Sequence, residues 1–378
     1  MAGARRAVPS RVDPDRRGTP HSPQLPGVCI VTEPTPPGTR AREAIETLLR
    51  REDLVAEQAE AVMEEVMSNG ATPTQIAGFL IALAMKGVRP PELVGLARTM
   101  RHHAVRLPAV REACFDTCGT GGDRSHTFNV SSVTAIVLAA CGIEVAKHGN
   151  RSVSSRCGSA DLFEALGVRV DAGPDIVTRC LDKAGIGFFF APAFHPSMRH
   201  AGPVRRELGV PTAFNLLGPL TNPAGARRQV IGVPRPELTD LLAQALLELG
   251  TERAWVVHGT AGLDEVSTVG PTKVCEVRDG EVAAFFLSPG DFGLPETNLS
   301  DLRVEGLDES VAVARSVLGG EKGPARDFVL ANAGSGLLVA GQVDSLRDGV
   351  ALAARAIDEE RAQATLATMA RVSQEGSA

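Results

Sequence analysis

The chain has 378 residues, a formal net charge of -6, 43% hydrophobic residues and 22% charged residues. That length can bury a large core and suits one large or two unequal domains, while the charge offers no general attraction to nucleic acid or an anionic membrane. Seven scattered cysteines without a Cys-x-x-Cys pair point to reduced thiols in a cytoplasm, and no apolar stretch reaches the roughly 18 residues of a membrane span.

Residues 1–39 are rich in Arg and Pro, lack the apolar run of a secretory signal, and read as a disordered tail. From Arg40 the spacing is helical, with Ile45, Leu48 and Leu49, then Ala59, Val62, Met63 and Val66, in the 3.6-residue period. Asn69-Gly70 stops one helix and Thr72-Pro73 starts the next. The stretch Ile76 to Met85 is apolar nearly all round and is expected to be buried between other helices. A small all-helical domain over 40–109 is predicted.

After Pro108 short apolar runs alternate with helical ones: strand Ala113 to Cys118, helix Val130 to Ala140, strand Ile143 to Ala146, helix Ala160 to Leu166, strand Val168 to Val170, helix Pro174 to Lys183 and strand Ile186 to Phe190. Strands Val230 to Val233 and Ala254 to His258 flank a helix from Pro236 to Leu249. The alternation predicts an α/β domain over 110–374 with a mainly parallel central sheet. Asp279-Gly280, between Lys273 to Arg278 and Glu281 to Leu287, is a type I′ hairpin signal and adds an antiparallel edge. Helices fill the rest from Leu307 to about Val372.

Two polar loops stand out. In the first, Gly119, Gly121 and Gly122 follow a strand and precede a helix, where backbone N–H groups and a helix N-terminus receive phosphate. It is not a dinucleotide fingerprint, because Arg124 stands where Gly or Ala is needed, and no Gly-Lys-Ser/Thr follows to make a Walker loop. Thr127, Asn129, Ser131 and Ser132 weaken a helix start unless they cap it or bind something. The second loop, Lys147 to Ser155, brings two cations, an amide and hydroxyls after the next strand; loops at the carboxyl ends of adjacent parallel strands converge on one ligand. Asp264-Glu265 offers oxygen ligands suited to Mg²⁺, and Arg199, Arg205 and Arg206 follow Ala191-Pro192 in a segment able to hold a carboxylate beside a flat ring. Each of these also has a plain reading as a solvated loop or helix face. His148 and His195 have no obvious acidic partner in sequence.

The ordered set Gly119-Thr-Gly-Gly-Asp123, Thr127 to Ser132, Lys147-His-Gly-Asn-Arg151, Phe190-Ala-Pro192, Phe214-Asn-Leu-Leu-Gly-Pro-Leu-Thr-Asn-Pro223 and Gly262-Leu-Asp-Glu265 closely resembles the anthranilate phosphoribosyltransferase family. The similarity runs from about Arg40 to the C-terminal helices. It implies a small helical domain, with a contribution from about 197–222, beside a large α/β domain of the nucleoside phosphorylase and phosphoribosyltransferase kind, and a homodimer. The implied reaction transfers the phosphoribosyl group of phosphoribosyl pyrophosphate to the amino group of anthranilate, a step of tryptophan synthesis.

By the same resemblance, Gly119, Gly122, Asp123, Thr127, Asn129, Val130, Ser131, Ser132, Lys147, His148, Gly149, Asn150, Arg151, Ser152, Val153, Ser154, Ser155 and Ser159 would hold phosphoribosyl pyrophosphate. Gly119, Asn150 and Arg205 would meet anthranilate, and Ser131, Asp264 and Glu265 would hold Mg²⁺. Asp123, Lys147 and Arg205 are expected to carry the chemistry. Arg124 stands where many members have Gly, and Cys157 where many have Ser. A nucleoside phosphorylase would share the fold and phosphate loops but accept a nucleobase; a nucleic-acid-binding relative would need a basic groove, which the charge of -6 and the Asp264-Glu265 pair disfavour.

Overall fold

The computed structural model of the protein describes residues 36–109, 111, 113–151 and 157–375. The expected tail lies almost wholly outside them, as do Ser152, Val153, Ser154 and Ser155 of the second loop.

Four helices come first: α1 (Thr39–Leu49), α2 (Ala56–Met67), α3 (Pro73–Lys86) and α4 (Pro90–His102). Asn69 takes a left-handed φ of 63° just past α2. Thr72 caps α3, its Oγ1 accepting from the Gln75 backbone N–H at 3.3 Å, with Pro73 in the first turn. One expectation needs correcting. Ile76, Phe79, Leu80 and Leu83 are buried, but Met85 is 69% exposed, so α3 buries one face and leaves an apolar side open. An all-apolar helix can lie at the surface of a bundle when its neighbours pack on one side only, and α3 packs chiefly on α1.

The α/β portion begins with β1 (Phe115–Gly119), α5 (Val130–Ala140), β2 (Val145–Gly149), α6 (Ser159–Ala165), α7 (Pro174–Ala184) and β3 (Ile186–Phe190). The expected strand Val168 to Val170 is irregular instead. Both valines are buried in the core, where they pack from irregular chain without joining the sheet, whose edge on this side is β3. A crossing through α8 (Ala191–Phe194), α9 (Gly202–Leu208) and α10 (Phe214–Leu217) leads to β4 (Arg228–Gly232), α11 (Glu237–Glu248) and β5 (Arg253–Gly259). The hairpin β6 (Thr272–Arg278) and β7 (Glu281–Leu287) precedes α12 (Leu307–Leu318), α13 (Pro324–Val339), α14 (Leu346–Asp358) and α15 (Arg361–Ser373). Asp279 and Gly280 both have positive φ, 52° and 82°, as a type I′ turn requires.

The seven strands form one sheet in the order β3-β2-β1-β4-β5-β6-β7. The first five run parallel and the hairpin adds an antiparallel edge. One face packs on α5 and α13 through Val133, Ile136, Phe328 and Leu337. The other packs on α11 and is continuous with the core of α1–α4, into which Ala201, Val204, Phe214, Leu217 and Leu220 also insert. Arg101 of α4 donates from Nε to the Leu220 carbonyl at 2.6 Å, joining the segment before β4 to the first helices. The chain winds away from β1 through β2 and β3, then returns to β4 on its other side. The crevice outside the carboxyl ends of β1 and β4 is therefore a switch point, where ligands of open α/β sheets bind.

Candidate active site

The first glycine loop leaves β1 at this switch point. Gly121 and Gly122 have φ of 70° and 89°, and Arg124 and His126 also take left-handed values of 56° and 59°. Four such residues within six curl the loop tightly. The Gly121 N–H donates to Asp264 Oδ2 at 3.0 Å. Asp123 accepts from the Ser125 N–H at 3.2 Å and from Ser125 Oγ at 2.5 Å. Arg303 Nε donates to the Ser125 carbonyl at 3.2 Å and closes the loop from outside. Thr127 forms an isolated bridge to Arg303. Asn129, at the N-cap of α5, turns its amide to Cys157, donating to its carbonyl at 3.1 Å and to its Sγ at 2.9 Å, and so ties the two loops together.

Not every expected contact faces the crevice. Val130 is buried at the start of α5 and can offer only backbone. Ser131 lies partly exposed beside it, and its backbone hydrogen bond to Glu265 favours the ionised carboxylate. Ser132 is fully buried and its hydroxyl makes no hydrogen bond, so it lies beneath the site surface rather than on it. In the second loop, Asn150 is exposed and Ser159 Oγ donates to its carbonyl at 3.3 Å. A Cβ on Gly149 would stand 2.2 Å from Ser159 Oγ, so only glycine fits there. Arg151 is turned outward, paired with Asp161 at 3.0 Å and Glu164 at 2.7 Å.

Below the loops lies a buried charge cluster. Lys147 of β2 is 2% exposed, and Nζ reaches only the His148 carbonyl, at 3.4 Å. Its ammonium pulls down the pKa of both Asp116 and Glu265, although burial still raises each carboxyl above its ordinary value. Asp116, fully buried on β1, accepts from Asn222 Nδ2 at 2.8 Å and from the His148 N–H at 3.3 Å. At the crevice edge, burial and the adjacent Asp123 push the Asp264 carboxyl up to about 8. Asp264 in turn raises Glu265 further.

Asp116 and Glu265 thus share the Lys147 ammonium, Asp264 and Asp123 lie against each other beside Glu265, and this set of oxygen donors fits a divalent cation. Among the described residues no group of three His, Cys, Asp or Glu is placed to hold an ion alone. Mg²⁺ rarely needs one, since it commonly takes one or two carboxylates, waters and substrate phosphate oxygens. Asp116, Asn222 and Arg303 were not among the expected site residues. A hydrophilic residue inside an apolar strand, as in Cys114-Phe-Asp-Thr-Cys118, was the available signal for Asp116.

The third wall is the segment after β3. Arg205 of α9 is partly buried, which lowers its pKa, and its guanidinium lies over the Phe214 ring at 5.6 Å from the centroid. No carboxylate pairs with it among the described residues, while Arg199 and Arg206 are exposed. His148 and His195 pack against each other within this wall, with ring centroids 5.2 Å apart. Burial lowers them to about 3 and about 4, so both are neutral imidazoles.

The fold and these loops are those of a phosphate-handling glycosyl transferase. Residues 42–104 match the helical bundle domain of the glycosyl transferase family, and residues 111–363 match its a/b domain. The anthranilate phosphoribosyltransferase of Moorella thermoacetica is 52% identical over 314 residues, which is 83% of this chain and 92% of the relative. The crystal structure of the enzyme of that name from Thermus thermophilus is 44% identical, with a TM-score of 0.82, covering 88% of this chain and 99% of that one. The Saccharomyces cerevisiae enzyme, solved in complex with PRPP and Mg, is 27% identical, with a TM-score of 0.81, and the match covers 88% and 98% of the two chains. This chain belongs to the anthranilate phosphoribosyltransferase family.

Proposed function

We propose that the protein transfers the phosphoribosyl group of 5-phosphoribosyl 1-pyrophosphate to the amino group of anthranilate, giving N-(5-phosphoribosyl)anthranilate and pyrophosphate, in tryptophan biosynthesis. The reading rests on one observation above the others. At the switch point the Gly121 N–H donates to Asp264 and the Lys147 ammonium acts on the neighbouring Glu265, which supports a phosphate and metal site, while Arg205, over the Phe214 ring, has no acidic partner among the described residues and is available to a substrate carboxylate.

In the reaction the bond from ribose C1 to the pyrophosphate oxygen breaks, and one from C1 to the anthranilate nitrogen forms. Positive charge grows on the sugar and negative charge on the leaving group. Backbone N–H groups of the first loop and the Lys147 ammonium are assigned to stabilise the departing oxygens. Thr127, Asn129, Ser131 and Asn150 are assigned to the phosphoribosyl group. Asp123, held by Ser125, is assigned to the positive side of the transition state. Asp264 and Glu265, with Ser131, would hold Mg²⁺, which when bound supplies positive charge beside the pyrophosphate. Arg205 grips the anthranilate carboxylate and aims the amine at C1. That aryl amine is neutral and nucleophilic near pH 7, so no strong base is required, in keeping with His148 and His195 being held neutral and buried.

We also assign 40–109 with 197–222 to the helical domain and 110–374 to the α/β domain, and read the protein as a cytoplasmic homodimer. The dimer rests on the family resemblance and on the exposed apolar Leu49, Val55 and Met85 of the first helices. No helix among the described residues is long and apolar enough to cross a membrane. The direct test follows anthranilate fluorescence in purified protein supplied with phosphoribosyl pyrophosphate and Mg²⁺. Loss of fluorescence that needs all three is expected, and a flat trace overturns the reading.

A further inference from the structure

The loop carrying Asp264 and Glu265 is pinned on either side of those two residues. On the near side, Gly259 and Leu263 exchange backbone hydrogen bonds, from the Gly259 N–H at 2.9 Å and from the Leu263 N–H at 3.2 Å. On the far side, Val266 is held by a side chain. Asn332 Oδ1 accepts from the Val266 N–H at 3.0 Å, and its Nδ2 donates to the Val266 carbonyl at 2.9 Å. The same Nδ2 donates to the Phe328 carbonyl of its own helix at 2.9 Å, which fixes how the amide is turned. The acidic pair lies between the two clamps, where the Gly121 N–H also donates to Asp264 Oδ2 at 3.0 Å.

Asn332 sits on α13, 3% exposed, among Phe328, Val329, Leu330, Ala331 and Ala333. A buried amide in such a helix costs desolvation unless every polar atom is used, and here both ends are. α13 touches neither phosphate loop through Asn332. Its amide bonds the acidic loop and its own helix.

We infer that Asn332 is a positioning residue: its amide locks the Val266 peptide and thereby fixes Asp264 and Glu265 in the spacing that holds the cation. This rests on the metal role proposed above. Groups that orient metal ligands typically matter about 10- to 100-fold in metal affinity. An apolar side chain at 332 would leave the Val266 N–H and C=O without partners, and the peptide would rotate to find others, carrying both carboxylates with it.

The test uses the full chain, with Mn²⁺ as the probe, read by electron paramagnetic resonance in the presence of phosphoribosyl pyrophosphate. Asn332→Ala is expected to weaken Mn²⁺ binding about 10-fold or more, and to raise the Mg²⁺ concentration for half-maximal activity by a similar factor. The KM for anthranilate should stay within about 2-fold, a split that general loosening would not give. Asn332→Ser is the second variant, since a hydroxyl can still partner the helix while losing the two-point grip on Val266. Ser335→Ala removes another buried helix hydrogen bond, from Ser335 Oγ to the Ala331 carbonyl at 2.9 Å, without touching the loop, and should leave Mn²⁺ binding as it was. Wild-type affinity in folded Asn332 variants, or an equal loss in Ser335→Ala, overturns the inference. So does unfolding of both Asn332 variants, which would make the amide a determinant of stability alone. If Asp264→Ala leaves Mn²⁺ binding unchanged, it is the metal assignment that fails, and the positioning role falls with it.

Discussion

Gly119 at the end of β1 lies directly across from Gly232 at the end of β4, and Asp264 rests against both. A Cβ on Gly119 would stand 2.6 Å from Asp264 Oδ2, and one on Gly232 only 1.4 Å from the Asp264 carbonyl oxygen. The paired glycines therefore form a flat seat for the acidic loop. Gly232→Ala should displace Asp264 by about an ångström or more and lower kcat/KM about 100-fold, the cost of misplacing a catalytic group by that distance. Steady-state kinetics, with circular dichroism to establish folding, measure this.

Asp264→Asn should separate stability from activity. Its carboxyl, raised to about 8 by burial and by Asp123, is held against its own charge when no cation is present. The amide removes that conflict. Metal-free Asp264→Asn is expected to gain at least about 1.4 kcal/mol at pH 8, the equivalent of one pKa unit, while Mg²⁺-dependent turnover collapses. Denaturant titration and the anthranilate-fluorescence assay give the two halves, and a destabilised Asp264→Asn would contradict the account.

At Arg205 the prediction concerns shape as well as charge. Arg205→Ala should raise the KM for anthranilate about 10- to 100-fold, on the scale of a lost charge-assisted hydrogen-bond pair, with little change for phosphoribosyl pyrophosphate. Arg205→Lys keeps the charge but loses the planar fork over Phe214, and should recover only part of the loss. Equal effects on both substrates would count against the assignment.

Acid should unfold the protein partly through its paired histidines. His195 has a folded pKa of about 4, below the ordinary 6.5, because burial disfavours its charged form. The native state thus binds fewer protons than the unfolded chain between those values. The stability this contributes is fully present above about pH 6.5 and is lost as pH falls toward 4, up to about 3 kcal/mol. Replacing the imidazole in His195→Phe should flatten the melting temperature between about pH 6.5 and 4.5. A slope equal to that of the wild type would show that other groups dominate.

Much of this architecture could be read in the chain because its signals are local. Helix Val130 to Ala140, strand Ile186 to Phe190 and the Asp279-Gly280 hairpin fall where apolar spacing and turn chemistry put them. The Val168 to Val170 run misled, since two buried valines in alternation look like a strand whether they pair in a sheet or, as here, fill the core from irregular chain. The glycine loops and Asp264-Glu265 announce themselves as polar breaks after strands. Asp116, Asn222 and Asn332 do not, because each acts through a partner distant in sequence. Asn332 is 66 residues from Val266, and the amide inside Leu330-Ala-Asn-Ala333 gives no hint of the peptide it grips.

Arg205 and the Phe214 ring beneath it come from the crossing between β3 and β4, whereas Gly119 and Lys147 belong to the sheet's own strands β1 and β2. On the assignment proposed above, the grip on the acceptor's carboxylate lies in a different stretch of chain from most of the donor contacts, with Gly119 and Asn150 serving both. On that assignment, edits within residues 191–214 would retune which aromatic nucleophile is accepted more than they would alter the leaving-group machinery, which makes this crossing the first place to graft a new acceptor specificity.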